Sequence, residues 1–190
     1  MDEKKDRIIS AAKELIAQYG FKKTTMDEIA AKARMGKSSM YYYFKNKEDI
    51  FAEIVRIDSN LFRYKLTEAI ELANTPKDKI MQYIRTRMLH LKELSNYYKT
   101  LTNEYLDHYF FIEQVREDFY EFEAGILSQL LNDGIDEKHF APCDVDVVVR
   151  MIAIAIKGLE YPLFVQKEQD LERDSKQMME IIFKGIDVHQ

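Results

Sequence analysis

Apolar residues recur at helical spacing through most of the chain, beginning close to its start. The first stripe repeats at intervals of three, four and seven residues: Ile8, Ile9, Ala12, Leu15, Ile16 and Tyr19. This spacing places apolar side chains on one face of an α-helix. Gly20 follows the stripe, and glycine commonly occupies the position just after a helix C-terminus. The pattern therefore predicts a first helix that ends at Gly20.

Two short helices are predicted next. Thr25 followed three residues later by Glu28 has the spacing of a capping box, which predicts a second helix over Met26–Ala33. After a short break, apolar and aromatic residues resume over Lys37–Phe44, where we expect a third helix. Two short helices separated by a turn of three to four residues form the layout of a helix-turn-helix.

Longer helices are predicted for the rest of the chain. A fourth begins at Lys47 or Glu48, and a fifth begins near Pro76, because proline is favoured in the first turn of a helix. After an aromatic-rich section, two more are expected over about 144–164 and about 171–186. Glycine and proline are few and no alternating stretch persists, so the chain is predicted to be all-α.

The segment 145–156 is rich in β-branched residues and is also compatible with a buried strand. A single strand in a helical protein would leave its backbone groups without partners, so a helix is favoured. That helix is apolar on nearly every side. It is either a central core helix or a helix shared between the core and a subunit interface.

Composition describes a globular chain with an uneven charge distribution. The chain has 190 residues, a single cysteine (Cys143) and a net charge of -5. Residues 1–47 carry eleven basic and six acidic side chains, a net charge of +5, whereas the remainder carries seventeen basic and twenty-seven acidic, a net charge of -10. A basic N-terminal segment followed by an acidic remainder is typical of a protein that presents one end to a polyanion.

Nothing in the sequence indicates a membrane or an oxidising compartment. One cysteine cannot form a disulfide within the chain, the charged start has no apolar segment behind it, and the apolar stretch 145–156 is too short to span a bilayer. We therefore expect a cytoplasmic protein with no membrane partner.

The helix-turn-helix segment also has suitable chemistry for nucleic acid. Ile29, Ala33, Met35, Met40 and Phe44 have the spacing of a miniature core. The donors around it could reach phosphates and base edges: Lys37, Ser38, Ser39, Tyr42, Tyr43 and Lys47. Positions 41, 42 and 43 lie about 100° apart on a helix, so their three tyrosines cannot all point inward.

From Arg7 to about Asp49 the chain resembles the DNA-binding domain of the TetR family of bacterial transcriptional regulators. The residues that carry the resemblance are Thr24-Thr25, Ile29-Ala30, Lys37, Ser39, Tyr41-Tyr42, Phe44 and Lys47. Two positions depart from the family pattern, namely Arg34 at the turn, where glycine is usual, and Gly36, where a Ser or Thr cap is usual. The resemblance implies a helix-turn-helix domain over residues 1–48 and a helical domain for effector binding and dimerisation over residues 49–190.

The resemblance also implies roles for individual residues. Thr25 is expected to cap the second helix and hold a phosphate, and Lys47 to bind phosphate at the start of the fourth helix. Lys37, Ser38 and Ser39 are expected nearest the base edges. The tyrosines complete the interface: Tyr42 at the groove wall, Tyr43 on a phosphate, and Tyr41 packed partly into the small core.

For residues 49–190, the resemblance implies a homodimer that forms through the last two long helices. It also implies that a small-molecule effector releases the protein from a pseudo-palindromic operator. Repression is likewise an expectation from the family. The candidates to line an effector cavity are Arg87, His90, Tyr98, Tyr105, His108, Tyr109, Phe119 and Phe122. Each of these residues is also compatible with ordinary core packing or a place on the surface.

Two other classes of function are an enzyme and a helical adaptor. The sequence has no Gly-rich phosphate loop, no His-Glu-x-x-His and no Cys/His cluster, so we expect no enzyme, no cofactor and no metal site. The alternative is a helical adaptor that binds protein through its acidic body and does not select DNA sequences.

Overall fold

The computed structural model describes residues 2–97, 111, 113–161 and 170–187, and within these ranges the chain is helical. The helices are α1 (Glu3–Tyr19), α2 (Met26–Lys32), α3 (Lys37–Tyr43), α4 (Lys47–Glu71), α5 (Pro76–Tyr97), α6 (Glu117–Asp136), α7 (Val145–Tyr161) and α8 (Leu171–Ile186). The described residues contain no β-strand, only an isolated bridge between Phe140 and Asp187. The all-α prediction is confirmed, and the ambiguous segment 145–156 is helical.

The predicted helix ends agree with the structure to within a few residues. Gly20 follows α1 with a φ of 89°, a conformation that glycine adopts without steric cost. α2 and α3 each end one residue earlier than predicted, because Ala33 and Phe44 are the cap residues. α7 is described up to Tyr161, and the predicted extension to residue 164 lies outside the described residues.

The described residues divide into two compact units. The first is drawn from Met1–Asn60 and Leu94–Glu117, and the second from Leu61–Glu93 and Asp118–Gln190. The core of the first unit contains the predicted miniature core, since Ile29, Ala33, Met40 and Phe44 are buried and Met35 packs against them. Side chains from α1 and the start of α4 complete this core, among them Ile8, Ala12, Ile16, Ile50 and Ile54.

Ion pairs join α1 to the start of α4. Lys5 Nζ lies 2.8 Å from Glu53 Oε1, and Lys13 Nζ lies 2.6 Å from Asp58 Oδ1. Glu53 also accepts two hydrogen bonds from Arg56, at 2.7 and 2.9 Å. The hydrogen bonds from Arg56 and Lys5 outweigh partial burial and lower the pKa of Glu53 from 4.5 to about 2.

This pKa predicts how stability depends on pH. A lowered folded-state pKa means that Glu53 contributes fully above pH 4.5 and loses its contribution as the pH falls towards 2. Glu53→Gln is expected to lower the free energy of unfolding by about 1 kcal/mol at pH 7 and to flatten its decline between pH 5 and 2. Urea titrations at several pH values test this, with exposed Glu48→Gln as the control. An unchanged pH profile in Glu53→Gln would contradict the assignment.

The turn between α2 and α3 contains a strained residue. Arg34 has a φ of 53°, in the left-handed region that a side chain disfavours. Arg7 of α1 donates hydrogen bonds to the carbonyl oxygens of Ala33 and, at 3.2 Å, of Arg34. The chain therefore keeps the turn geometry that glycine usually provides, and α1 holds that geometry in place.

Arg34→Gly is expected to raise the free energy of unfolding by about 0.5–1 kcal/mol. The relief of left-handed strain is worth about 1–2 kcal/mol, and the greater freedom of glycine in the unfolded chain offsets part of it. The Arg34 side chain is exposed, so little packing is lost. Chemical denaturation measures the change, and Ala31→Gly, inside α2, is the control that should destabilise. A loss of stability in Arg34→Gly would show that the turn is not strained.

The second unit has its own core. It is formed by side chains of α4 to α8, including Phe62, Ile80, Leu127, Ile152 and Phe183. Phe140 follows α6 and packs directly over Gly134, so a Cβ on Gly134 would collide with the Phe140 ring. Gly134 thus allows the loop between α6 and α7 to fold back against α6.

Candidate functional site

The short helix α3 presents one buried face and one exposed face. Met40 is buried in the first unit, whereas Lys37, Ser38 and Tyr41 are exposed and Ser39 is half-buried. Tyr42 is 84% exposed, which is unusual for an aromatic side chain without a partner surface. The predicted nucleic-acid residues of α3 thus lie on or beside one solvent-facing surface.

The structure differs from the prediction in which of the three consecutive tyrosines packs against the small core. Tyr41 is exposed and does not pack into the small core, so that expectation is wrong. Tyr43 packs against this core instead, because it lies one helical turn after the buried Met40. Its hydroxyl is hydrogen-bonded to Asp2, the N-cap residue of α1; this bond raises the pKa of Tyr43 and lowers the pKa of Asp2.

The start of α2 is built as the sequence predicts. The Thr25 hydroxyl oxygen accepts a hydrogen bond from the Glu28 backbone N–H at 3.3 Å, and Glu28 accepts one from the Thr25 N–H at 2.8 Å. The Thr25 hydroxyl also donates to the Glu28 carboxylate at 2.8 Å, and this bond lowers the pKa of Glu28. The capping role of Thr25 is confirmed, and its phosphate contact stays a prediction.

Lys37 forms an ion pair near the exposed face of α3. Its ammonium lies 2.7 Å from the Asp27 carboxylate, and both side chains are exposed. The hydrogen bond to Asp27 raises the pKa of Lys37, so the side chain is charged at neutral pH. An exposed pair of this kind is weak, so Lys37 can exchange Asp27 for another acceptor at little cost.

Lys47 has a structural role that the sequence did not predict. Its ammonium donates to the carbonyl oxygens of Phe21, Lys22 and Thr24 at 2.9, 3.3 and 3.2 Å. It also lies 4.5 Å from the centre of the Phe21 ring. Lys47 therefore holds the loop between α1 and α2. Its contact with phosphate stays a prediction, and such a contact requires it to exchange at least one of these acceptors.

The second unit contains a cavity of about 420 Å³ between α5, α6 and α7. Its size lies within the range of small-molecule sites. The lining residues come from three helices: Tyr83 and Arg87 of α5; Tyr120, Glu123, Ala124, Leu127 and Ser128 of α6; and Asp146, Val149, Arg150, Ala153, Ile156 and Lys157 of α7. The residues of α6 recur at helical spacing, so one face of this helix forms a wall.

A buried ion pair lies at this cavity. Arg87 Nε lies 2.8 Å from Glu123 Oε1, and the two side chains are only 1% and 8% exposed. The Tyr83 hydroxyl donates to the same carboxylate oxygen at 3.0 Å. Because a buried charge is costly without a partner, Arg87 and Glu123 stabilise each other within the second unit.

The residues predicted to line an effector cavity occupy different places in the structure. Arg87 lines the cavity, whereas Phe119 is buried in the core of the second unit against Phe62. His90 stacks on Phe62 with a ring-centre distance of 3.9 Å, and Phe122 packs on that core with the Arg63 guanidinium 5.0 Å from its ring centre. Neither residue is among those that line the described cavity. The remaining candidates lie outside the described residues: Tyr98, Tyr105, His108 and Tyr109.

Sequence reasoning missed the charged residues of α7 that line the cavity. Asp146, Arg150 and Lys157 recur at intervals of four and seven residues beside the apolar Val149 and Ile156. This spacing was available in the sequence. It does not by itself indicate a cavity, because charges at helical spacing more often mark a solvated face.

The two last helices carry exposed apolar side chains. On α7, Val147, Met151 and Ile154 repeat at intervals of four and three residues, and Ile154 is 65% exposed. On α8, Ile181 is 71% exposed. Gly158 continues the stripe of α7, and a Cβ there would meet nothing within 4 Å. The opposite side of α7 packs into the core through Ile152 and Ile156, so this helix has both a covered and an uncovered apolar face.

The described ranges contain neither a metal-binding cluster nor a membrane-spanning helix. No cluster of three or more His, Cys, Asp or Glu side chains there could hold a metal ion. Every helix in this part of the chain is too short or too polar to cross a bilayer.

Comparison with known proteins gives a family match for the start of the chain. Residues 8–54 match the model of the bacterial regulatory proteins of the tetR family. The HTH-type transcriptional regulator QacR of Staphylococcus aureus is 26% identical over 161 residues, which cover 82% of this chain and 83% of QacR.

Solved structures extend the similarity to the second unit. A transcriptional regulator from Cytophaga hutchinsonii is 27% identical, with a TM-score of 0.73 over 98% of this chain and 100% of that one. The transcriptional regulator FadR from Bacillus subtilis, solved in complex with stearoyl-CoA, is 24% identical, with a TM-score of 0.72 over 95% of this chain and 98% of that one. The fold of this chain is therefore similar to theirs along nearly the whole length.

Proposed function

We propose, from the premise that this chain belongs to the tetR family of bacterial regulatory proteins, that it represses transcription as a homodimer on a pseudo-palindromic operator. The chain is a DNA-binding, ligand-responsive transcriptional regulator. The proposal takes residues 1–48 as the DNA-reading domain and residues 49–190 as the domain that dimerises and binds the effector. We assign it no catalytic reaction, since its relatives are regulators, and we place it in the cytoplasm, where chromosomal DNA is accessible.

The exposed face of α3 is the observation that carries the DNA-binding assignment. The buried Met40 anchors the helix, while Lys37, Ser38 and Tyr42 face outward from a basic domain. A tyrosine in the major groove covers sugars or thymine methyl groups with its ring and reaches a phosphate with its hydroxyl. We assign base-edge contacts to Lys37, Ser38 and Ser39, the groove wall to Tyr41 and Tyr42, and phosphates to Thr25, Tyr43 and Lys47.

A selection of bound genomic fragments, followed by gel shifts at several salt concentrations, tests this function. The protein is expected to select few fragments and to lose affinity as salt increases. Tyr42→Ala is expected to weaken binding by about ten- to hundredfold, equivalent to about 1–3 kcal/mol. Tyr64→Ala, which removes a 67% exposed tyrosine from α4, is the matched control and should bind normally. Equal binding to all fragments would favour the adaptor instead.

Lys47→Ala separates the structural role of Lys47 from its predicted phosphate contact. The loss of a cation from three carbonyl oxygens is expected to lower the free energy of unfolding by about 1–2 kcal/mol. At a temperature where the variant is folded, the loss of one phosphate contact would reduce the salt slope of binding by about one unit, similarly on all sequences.

The exposed Lys45→Ala is the control for Lys47→Ala, because it removes the same charge two residues earlier. An unchanged denaturation midpoint in Lys47→Ala would contradict the structural role. An unchanged salt slope would contradict the phosphate contact and leave Lys47 as a loop residue only.

Dimerisation is supported by the uncovered faces of α7 and α8. Val147, Met151, Ile154 and Ile181 are exposed apolar residues, and such a cluster commonly marks an interface. Glycine within a helix costs about 1 kcal/mol relative to alanine, yet Gly158 and Gly185 lie in α7 and α8 with open space around them. Small residues at these positions would let the helices of a second copy approach closely.

The effector site is assigned to the cavity between α5, α6 and α7. Its volume of about 420 Å³ suits a small molecule, and it combines apolar walls with a few charged groups. The solved complex of FadR with stearoyl-CoA shows that a relative of similar fold binds a ligand. An effector that favours one conformation of this unit would shift the population of the form that binds DNA.

A further inference from the structure

The first turn of α2 contains two acidic residues that have different partners. The Glu28 carboxylate accepts from the Thr25 N–H and from the Thr25 hydroxyl, both at 2.8 Å, so it is used in capping its own helix. Asp27 reaches instead to the next helix, where its Oδ1 lies 2.7 Å and its Oδ2 lies 2.9 Å from the Lys37 ammonium. Both carboxylate oxygens of Asp27 therefore lie at the residue that begins α3.

A carboxylate at this position opposes the binding of phosphate by Lys37. The two side chains are exposed and of opposite charge, so at a distance the pair presents little net charge to DNA. When Lys37 moves to a phosphate, one anionic acceptor replaces another, and the Asp27 carboxylate is left without its cation beside the DNA backbone. A phosphate contact of Lys37 therefore adds less affinity than the same contact from a lysine without an acidic neighbour.

A base edge presents a different kind of acceptor to Lys37. The lysine ammonium has three N–H donors, and the two oxygens of Asp27 engage at most two of them. At least one donor is left for a neutral acceptor, such as O6 or N7 of guanine, while Asp27 stays in contact. Asp27 also restrains a flexible side chain before DNA is bound, so less ordering is needed on binding. The ion pair thus weakens a phosphate contact of Lys37 more than it weakens a base-edge contact.

We propose that Asp27 determines sequence specificity through Lys37: its carboxylate competes with backbone phosphates for the ammonium and positions the ammonium for base edges. The inference rests on the proposed function, because it concerns the same face of α3. Asp27 is a positioning residue, and no contact with DNA is assigned to it. Asp2 provides a contrast, since it is hydrogen-bonded to the hydroxyl of Tyr43, which is assigned to a phosphate and not to a base.

Affinities for two DNA duplexes test the role of Asp27. The operator duplex is the genomic fragment that the wild-type protein binds most tightly, and the second duplex has the same length and base composition in scrambled order. Fluorescence anisotropy of the full-length protein at several salt concentrations gives both affinities. Asp27→Asn is expected to bind the scrambled duplex about three- to tenfold more tightly, with a salt slope steeper by about one unit, because Lys37 then reaches a phosphate. The ratio of operator to scrambled affinity is expected to fall about tenfold.

Two further substitutions of Asp27 separate the carboxylate from the side chain that replaces it. Asp27→Ala introduces no amide that could itself contact DNA, and it is expected to behave as Asp27→Asn does. Asp27→Glu keeps the carboxylate and is expected to retain most of the wild-type ratio. Circular dichroism should show all three variants folded, since Asp27 is exposed and the capping box of Thr25 and Glu28 remains.

Asp2→Asn is the matched control. It removes the same charge from an exposed N-cap position of α1, which asparagine also fills well. It is expected to change the affinity for both duplexes by a similar factor and to leave their ratio unchanged. A double variant tests whether Asp27 acts through Lys37. In Lys37→Gln, which lacks the ammonium, the addition of Asp27→Asn is expected to leave the ratio unchanged.

Two outcomes would overturn the inference. One is an unchanged ratio in Asp27→Asn, and the other is a fall in the ratio that persists when Asp27→Asn is added to Lys37→Gln. In either case a wild-type protein that selects the operator leaves the DNA-binding regulator intact. A wild-type protein that binds all genomic fragments equally would contradict the proposed function itself, and the inference with it.

Discussion

Met151→Glu/Ile154→Glu is expected to convert the protein from a dimer to a monomer at micromolar concentration. Both side chains lie on the uncovered face of α7, so they contribute little to the core of their own chain. In a dimer they would be buried against the second copy, and two unpaired carboxylates there would cost several kcal/mol. Sedimentation or light scattering measures the mass directly.

The same variant is expected to bind the operator at least about a hundredfold more weakly. Each monomer would bind its half-site independently, so the gain from two linked contacts is lost. Circular dichroism should show an unchanged helical content. Leu72→Glu is the matched control, since Leu72 is 82% exposed beyond the end of α4 and away from this stripe in sequence. A wild-type protein that is monomeric at these concentrations, or a double variant that stays dimeric, would place the interface elsewhere or remove it.

Glu123→Leu is expected to lower the free energy of unfolding by about 3–5 kcal/mol. The substitution leaves the Arg87 guanidinium buried without its carboxylate, and an uncompensated buried charge is strongly destabilising. Urea denaturation followed by circular dichroism gives the change, with the slope compared between variants to detect a change in the denatured state.

A second variant tests whether the loss of unfolding free energy arises because the buried Arg87 charge no longer has the Glu123 carboxylate beside it. Arg87→Met/Glu123→Leu removes both charges and is expected to recover most of the loss, because a neutral apolar pair of similar volume avoids the desolvation cost. Tyr83→Phe removes the hydroxyl that donates to Glu123 and should cost about 1 kcal/mol. If Glu123→Leu costs less than Tyr83→Phe, the pair is not the buried interaction that its geometry indicates.

The first unit was largely predictable because its signals are local. The capping box at Thr25 and Glu28, the small core around Met40 and the cap at Gly20 each depend on neighbours a few residues away. The sequence also shows that Arg34 and Gly36 depart from the family pattern. The sequence does not predict that Arg34 keeps a left-handed backbone conformation with hydrogen bonds from Arg7 to the carbonyl oxygens of the turn. Arg7 and Arg34 are twenty-seven positions apart, so no local pattern links them.

The cavity between α5, α6 and α7 was less predictable because it depends on how three helices face one another. Arg87 was identified, but the pattern does not show that its partner is Glu123, thirty-six residues later. Phe119 and Phe122 were equally plausible as core or cavity residues, and packing places them in or against the core. On α7, the spacing of Arg150 and Lys157 became meaningful only when the buried side of the helix was known.

The long-range hydrogen bonds around the turn have a consequence for engineering. Arg7 reaches the carbonyls of the turn from α1, and Lys47 reaches those of the preceding loop from α4. A peptide limited to α2 and α3 would lack both cations and much of its apolar support. The smallest module that could be exchanged between regulators to transfer operator preference therefore extends at least from α1 into the first turns of α4. A chimera joined immediately outside the two short helices would lose the conformation of the segment it was built to transplant.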